Sequence, residues 1–280
     1  MMKLALFKSL WGHAETLDHA ILACQEDRLA GVEGPVPASP AERLQFRQKL
    51  EQAGLVFIAE ICTAGSYVPE RNASPAEHLE SLRRHAENAV ECHPLFLTVI
   101  AGCDAWPVAQ SVDFFGRAAE LEREFGVPLS FETHRSRSLF NPWTTHEILN
   151  QLPSLKLTCD FSHWCVVCER LIDTEPDILQ VCAERAHHIH ARVGYAQGPQ
   201  VPHPAAPEYS DALVAHERWW LQIWQHQQSR GLERTTMTPE FGPDGYLHTL
   251  PFSRMPVAEL ATINRWMADR QRERFNQLFP

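Results

Sequence analysis

The chain has 280 residues, of which 44% are hydrophobic, 21% charged and 9% aromatic, and this composition excludes a disordered, collagen-like or coiled-coil protein. Its 25 Lys and Arg against 35 Asp and Glu leave a formal net charge of −10, and no basic run stands out. A protein that grips a phosphate backbone shows the opposite sign, so we expect no nucleic-acid partner.

The apolar run at the N-terminus is broken as early as Lys8, and no segment of about 18 apolar residues follows. We therefore expect neither a signal peptide nor a membrane partner, and read a cytoplasmic protein. The eight cysteines, at 24, 62, 92, 103, 159, 165, 168 and 182, are scattered through apolar segments and read as reduced, buried thiols. Cys165 and Cys168 form a lone Cys-x-x-Cys pair, which lacks the second pair of a zinc ribbon and the context of a redox motif.

Short β-branched or aromatic runs alternate with segments of helical period along the whole chain. Strands are expected at 3–8, 29–34, 55–62, 95–101, 128–134, 155–161, 187–193 and 235–241, and helices at 14–27, 40–53, 75–91, 108–125, 144–151, 176–185, 210–229 and 256–275. Leu79, Leu82, Ala86, Ala89 and Val90 fall on one helical face, as do Phe46, Leu50 and Ala53. Ser39-Pro40-Ala41-Glu42 and Ser74-Pro75-Ala76-Glu77 are the same capping box with Pro at the first helical position, and Thr144 with Glu147 reads as a third helix start. Gly54, Gly126 and Gly231 follow helices and precede strands, where a left-handed residue is wanted. Eight strand–helix units in one chain predict a single (β/α)8 TIM barrel forming one domain over 1–280, and no Gly-x-Gly-x-x-Gly supports an open nucleotide-binding sheet instead.

Barrel chemistry sits where strands end, so polar residues at those ends are the candidates. The fifth strand ends Ser130-Phe131-Glu132-Thr133-His134, the sixth Thr158-Cys159-Asp160-Phe161-Ser162-His163, the seventh runs His188-Ile189-His190-Ala191-Arg192 and the eighth ends Thr238-Pro239-Glu240. A strand alternates faces, so Ser130, Glu132 and His134 lie together, as do His188, His190 and Arg192, and Thr236, Thr238 and Glu240. With Leu129, Phe131, Leu157 and Cys159 turned to the helices, the polar sets point inward. Glu132, Asp160, His190 and Glu240 then converge, and carboxylates so crowded need a positive charge among them. One divalent cation, Mn²⁺, Mg²⁺, Co²⁺ or Zn²⁺, suits three carboxylates and an imidazole.

The set Phe131-Glu132-x-His134, Asp160-x-x-His163, His190-x-Arg192 and Glu240-Phe241-Gly242-Pro243, with Gly31-Val32-Glu33 on the second strand, resembles the xylose isomerase-like TIM barrels. That superfamily comprises the sugar phosphate isomerases and epimerases and shares its fold with endonuclease IV. The resemblance implies that Glu132, Asp160, His190 and Glu240 hold one metal, and that Glu132 and Glu240 are also the acid/base groups on opposite faces of a bound sugar. It implies substrate contacts for His163 and Arg192, with His134 beside Glu132 as a further contact. The additional histidines of a three-zinc endonuclease IV site are missing: 31–37 and 58–67 contain no His, and no Asp-x-His follows His190.

The implied reaction is proton transfer through an enediolate on a sugar or cyclitol α-hydroxy carbonyl. A hydride shift of the xylose isomerase type would need a lysine near the metal, and Lys156 stands at the wrong end of its strand. A dehydratase or lyase on a keto-sugar or inosose shares the first step; an endonuclease IV-like hydrolase and a non-catalytic sugar-binding barrel are the remaining alternatives. Self-association into a homo-oligomer is compatible with the sequence.

Around these residues, Trp11 and Trp106 follow the first and fourth strands, where a loop can line the pocket. Arg135 and Arg137 are placed to receive a phosphate or carboxylate, or else are surface residues. The Pro-rich loop 195–210 has the profile of a lid, Trp219, Trp220 and Trp224 read as packing, and His78, His85 and His146 read as surface residues of helices.

Overall fold

In the computed structural model, residues 2–13, 15–243 and 245–280 are described. Ala14, where the first helix is expected to begin, lies outside them. Eight parallel strands close a barrel in chain order: β1 (Lys3–Ser9), β2 (Gly31–Pro35), β3 (Val56–Cys62), β4 (Leu97–Ile100), β5 (Leu129–Glu132), β6 (Leu157–Cys159), β7 (Ala186–His190) and β8 (Arg234–Thr238). The connecting helices are α1 (Leu17–Glu26), α2 (Pro40–Gln52), α3 (Pro75–Val90), α4 (Val108–Phe125), α5 (Pro142–Gln151), α6 (Ser162–Val167), α7 (Pro176–Arg185), α8 (Ser210–Ser229) and α9 (Leu260–Leu278). The expected (β/α)8 barrel is therefore the observed one, with α6 as a short extra helix after β6.

The ends of the elements follow local chemistry. Ser39 and Ser74 form both halves of their capping boxes, which satisfies the first amides of α2 and α3. Gly126 ends α4 at φ 67°, a left-handed conformation that costs a residue with a Cβ. Three expected helix starts move. The α5 helix starts at Pro142, because the Asn141 side chain accepts from the Thr144 amide at 2.8 Å and Thr144 is already inside the helix. The α1 helix starts at Leu17 behind Thr16 as its cap. The α9 helix starts at Leu260, because Thr249 and Pro256 pair in a β-bridge that occupies the chain before it.

Outward side chains of the strands, such as Phe57, Ala59, Leu129, Phe131, Leu157 and Ile189, pack in one core with Leu82, Phe114, Trp219, Trp220 and Trp224 from the helices. The three Trp of α8 are thus packing residues. Inside the barrel the layers differ. Phe7, Ile58 and Phe96 plug the N-terminal end. Above the plug lies a polar layer: Thr98 donates to Glu33 at 2.7 Å, Thr158 to Ser130 at 2.8 Å, and His188 Nδ1 meets Thr236 at 2.8 Å. Stacked layers of inward side chains are how a barrel of this size fills its interior, and this middle layer is the floor of the site.

Candidate functional site

The four expected ligands stand where β5 to β8 deliver them. Glu132 and His190 are the last residues of β5 and β7, Asp160 follows β6 directly, and Glu240 lies just past β8. One ligand atom from each of Glu132, Asp160, His190 and Glu240 lies within 4.8 Å of the others, and all four residues are buried. His190 Nδ1 is 3.0 Å from Glu240 Oε2 and 3.8 Å from Glu132 Oε1. Neither approach has hydrogen-bond alignment, and buried Glu132 Oε2 and His190 Nδ1 both lack a partner among the described residues. Unpaired buried polar atoms are costly, so atoms that converge in this way fit a cation.

The second nitrogen of His190 is fixed from below. Glu33 accepts from His190 Nε2 at 3.1 Å and from Thr98 on Oε1, and from His188 Nε2 at 3.0 Å and Thr238 on Oε2. With Nε2 as donor, Nδ1 is the atom presented to the carboxylates, the arrangement in which an outer carboxylate orients a metal-binding imidazole. Burial would raise Glu33, but His190 and His188 outweigh it and hold its carboxyl well below the usual range.

The remaining carboxylates resist a common negative charge. Burial, opposed by His190 and reinforced by Glu240 and Asp160, pushes Glu132 up to about 7. Burial also raises Asp160, although Arg192 counteracts it. For His190, burial opposes the charged form, yet Glu240, Glu33 and Glu132 together hold it well above its ordinary value. Each shift describes the centre without a cation, which is the condition a divalent ion relieves.

Asp160 is held on both oxygens: Ser162 donates through N at 3.0 Å and Oγ at 2.5 Å to Oδ1, while Arg192 pairs with Oδ2. The Arg192 guanidinium also donates to His163 Nε2 at 2.6 Å. The His163 ring lies 4.0 Å from that of His134 at a tilt of 48°, and His134 Nδ1 donates to the Arg135 carbonyl at 2.5 Å. Glu132, His134 and His163 form a second convergent group within 4.8 Å. His134, His163 and Arg192 are thereby brought beside the tetrad, and of these His134 and Arg192 line the cavity.

Aromatic rings cover that mouth. Trp11 lies 4.9 Å from Tyr246 and 5.6 Å from Tyr67, and Arg192 sits 5.5 Å over Trp11 and 4.9 Å over Tyr246. Trp11 seats directly on Gly242, where a Cβ would come within 1.9 Å of the indole. The cavity at this mouth, lined by Trp11, Tyr67, Glu132, His134, Arg192, Glu240 and Tyr246 among others, measures about 10 Å³, while a roomier one of about 760 Å³ opens at the opposite, N-terminal end beside Lys3, His187 and Arg234. The chemistry-bearing side chains are at the small cavity.

Several expectations change here. Trp106 packs on His78 and Phe114 instead of lining the cavity. His78 is fully buried, with Nδ1 2.7 Å from Thr63 Oγ1, and His85 and His146 are partly buried, so helix position was a poor guide to exposure. Arg137 is neither a substrate contact nor a surface residue: its buried guanidinium donates to the carbonyls of Thr63, Ser66, Tyr67 and Gly102 and braces the loop that carries Tyr67. No residue of 195–210 lines the cavity; Gln200 instead ties that loop to Gly242 at 2.8 and 3.2 Å. Cys165 is buried against His216, and all the cysteines are free thiols.

Four residues were not singled out from sequence: Glu60, Tyr67, Tyr246, and Glu33 as a partner of His190. Glu60 points into the barrel from β3, where burial and then Glu240, Glu132 and Glu33 raise its carboxyl well above the usual range. A lone charge inside the apolar run Phe57-Ile58-Ala59-Glu60-Ile61 was the available signal for it.

A sequence model describing the xylose isomerase-like TIM barrel matches residues 22–203. The chain belongs to this family. Among solved structures, a D-psicose 3-epimerase in the presence of D-fructose superposes with a TM-score of 0.63 at 13% identity, covering 97% of this chain and 99% of that one. A probable 3-DHS dehydratase, AsbF of Bacillus anthracis, gives 0.61 at 15% identity, covering 97% and 98%. An IOLI protein with a binding zinc atom gives 0.62 at 12% identity, covering 98% and 96%. Searched by sequence, curated proteins yield no match. At such identities the superpositions establish the fold, and membership of the family rests on the sequence match. Among the described residues, no helix is long and apolar enough to cross a membrane.

Proposed function

We propose that this protein is a divalent-metal-dependent isomerase or epimerase acting on a sugar-like α-hydroxy carbonyl by proton transfer. The observation that carries the reading is the buried tetrad Glu132, Asp160, His190 and Glu240, whose ligand atoms converge within 4.8 Å while Glu132 Oε2 and His190 Nδ1 have no partner among the described residues. When bound, the cation supplies chelation of two neighbouring substrate oxygens and a sink for negative charge.

The chain's own residues divide the remaining tasks. Asp160 is saturated by Ser162 and Arg192, so it is a fixed ligand and a poor base. Glu132 and Glu240 line the cavity, and each has a carboxylate oxygen able to take a proton from, or return one to, the carbon beside the carbonyl. Arg192 and His163 hold a substrate oxygen, with His134 supporting His163 at 4.0 Å. Trp11, Tyr67 and Tyr246 exclude water from the reacting carbon.

The experiment has two arms. Protein purified without chelator is assayed for metal, with one divalent ion per chain expected. Ketoses and inososes are then incubated with it in deuterated water, and NMR reads deuterium at the carbon next to the carbonyl. Product structure separates epimerisation from loss of a β-hydroxyl. A metal-free active protein, or turnover that retains all of the original hydrogen, would overturn the reading.

A further inference from the structure

The two arginines after β5 have separate fates, and the contrast bears on the charge of the substrate. Arg137 is consumed by four loop carbonyls, and Arg192 is paired with Asp160. Arg135 remains partly exposed, 5.0 Å over the Tyr246 ring, with no carboxylate within ion-pair distance among the described residues. Tyr246 lines the cavity and also carries Arg192 at 4.9 Å, so a single ring places the Arg135 guanidinium at the rim of the site.

A guanidinium seated on an aromatic face keeps its N–H fork free at the edge, and that fork matches a carboxylate or a phosphate in two-point geometry. Arg135 is not among the residues that line the cavity, so an anion held there would belong to a part of the ligand outside it. We propose that Arg135, seated on Tyr246, forms a subsite for an anionic group, so that the substrate is an acidic or phosphorylated sugar and not a neutral one. This inference rests on the sugar reading above.

The test uses ligands that cannot turn over. Binding of sorbitol, sorbitol 6-phosphate and gluconate to the Mn²⁺-loaded protein is measured by calorimetry for wild type, Arg135→Gln and Arg135→Lys, with metal content recorded for each. Wild type is expected to bind at least one of the two anions roughly ten-fold or more tighter than sorbitol, as a charge-assisted hydrogen bond allows. Whichever anion gains more identifies the group as phosphate or carboxylate. Arg135→Gln should erase the preference while still binding one metal ion, and Arg135→Lys, which keeps a charge without the fork, should restore part of it. Equal binding of all three ligands by wild type, or a preference that survives Arg135→Gln because the anion sits on the metal, would overturn the proposal. Failure of the sugar reading itself would show differently, as absence of bound metal or of deuterium incorporation.

Discussion

Replacing Glu33 by Gln changes almost nothing in shape and should still weaken metal binding. Each carboxylate oxygen of Glu33 accepts from one histidine and one threonine: His190 at 3.1 Å and Thr98 at 2.7 Å on Oε1, and His188 at 3.0 Å with Thr238 on Oε2. An amide must turn its NH₂ towards one of these pairs. A threonine hydroxyl rotates to accept, but an imidazole N–H cannot. If the NH₂ faces His190, Nε2 has to become the acceptor and the proton moves to Nδ1, the atom offered to the cation. If it faces His188, His190 keeps its tautomer but loses a charged partner. Loss of such an outer partner costs roughly 10–100-fold in metal affinity, or about 1.4–2.7 kcal/mol. Calorimetric titration of the metal-free proteins with Mn²⁺ at fixed pH measures this, with near-UV circular dichroism to show that the barrel is intact and His190→Ala as the larger reference loss. A folded Glu33→Gln protein that binds Mn²⁺ as tightly as wild type would show that Glu33 does not set the state of His190.

Three further outcomes are expected. Glu240→Gln and Glu132→Gln should each cut deuterium incorporation by about 10²–10⁴-fold, the usual scale of acid–base contributions, whereas a uniform change confined to KM would remove them from proton transfer. Metal affinity should rise with pH. Glu132, raised to about 7, and His190, raised well above its ordinary value, are both protonated at low pH, so a cation must displace those protons; Mn²⁺ titrations from pH 5.5 to 8.5 that show a flat or falling affinity would contradict the sign. Arg137→Met should destabilise the fold by about 3 kcal/mol or more, because four loop carbonyls lose a buried charged donor, and denaturant melts that match wild type would show that the brace is dispensable.

The strand–helix alternation was legible because each strand has an apolar face towards the helices, as with Leu129 and Phe131 in β5 or Leu157 and Cys159 in β6. The same alternation placed Glu132, Asp160, His190 and Glu240 inward, and their convergence follows from barrel closure. What sequence could not show is which polar residues meet across the interior. Glu33 and His190 are separated by 157 positions, and only the closed barrel brings β2 opposite β7. Arg135 and Arg137 are two residues apart with the same side chain, yet Ser136 between them adopts φ 62°, and only the second turns under the β3 loop. Tyr67 and Tyr246 sit in loops without periodicity, so nothing in spacing marks them as the cover of the site.

The fit of Trp11 on Gly242 gives the protein a built-in optical sensor. With a cavity of only about 10 Å³ between them, the rings leave scarcely the volume of one water molecule, so the proposed substrate needs them to separate. Apparent affinity is then lowered by the fraction of molecules that have opened, and turnover becomes sensitive to solvent viscosity if ring movement is slower than proton transfer. Because the indole lies against both the Arg192 guanidinium and the Gly242 backbone, its emission changes as it leaves them, and stopped-flow fluorescence can time the admission of substrate separately from the chemistry.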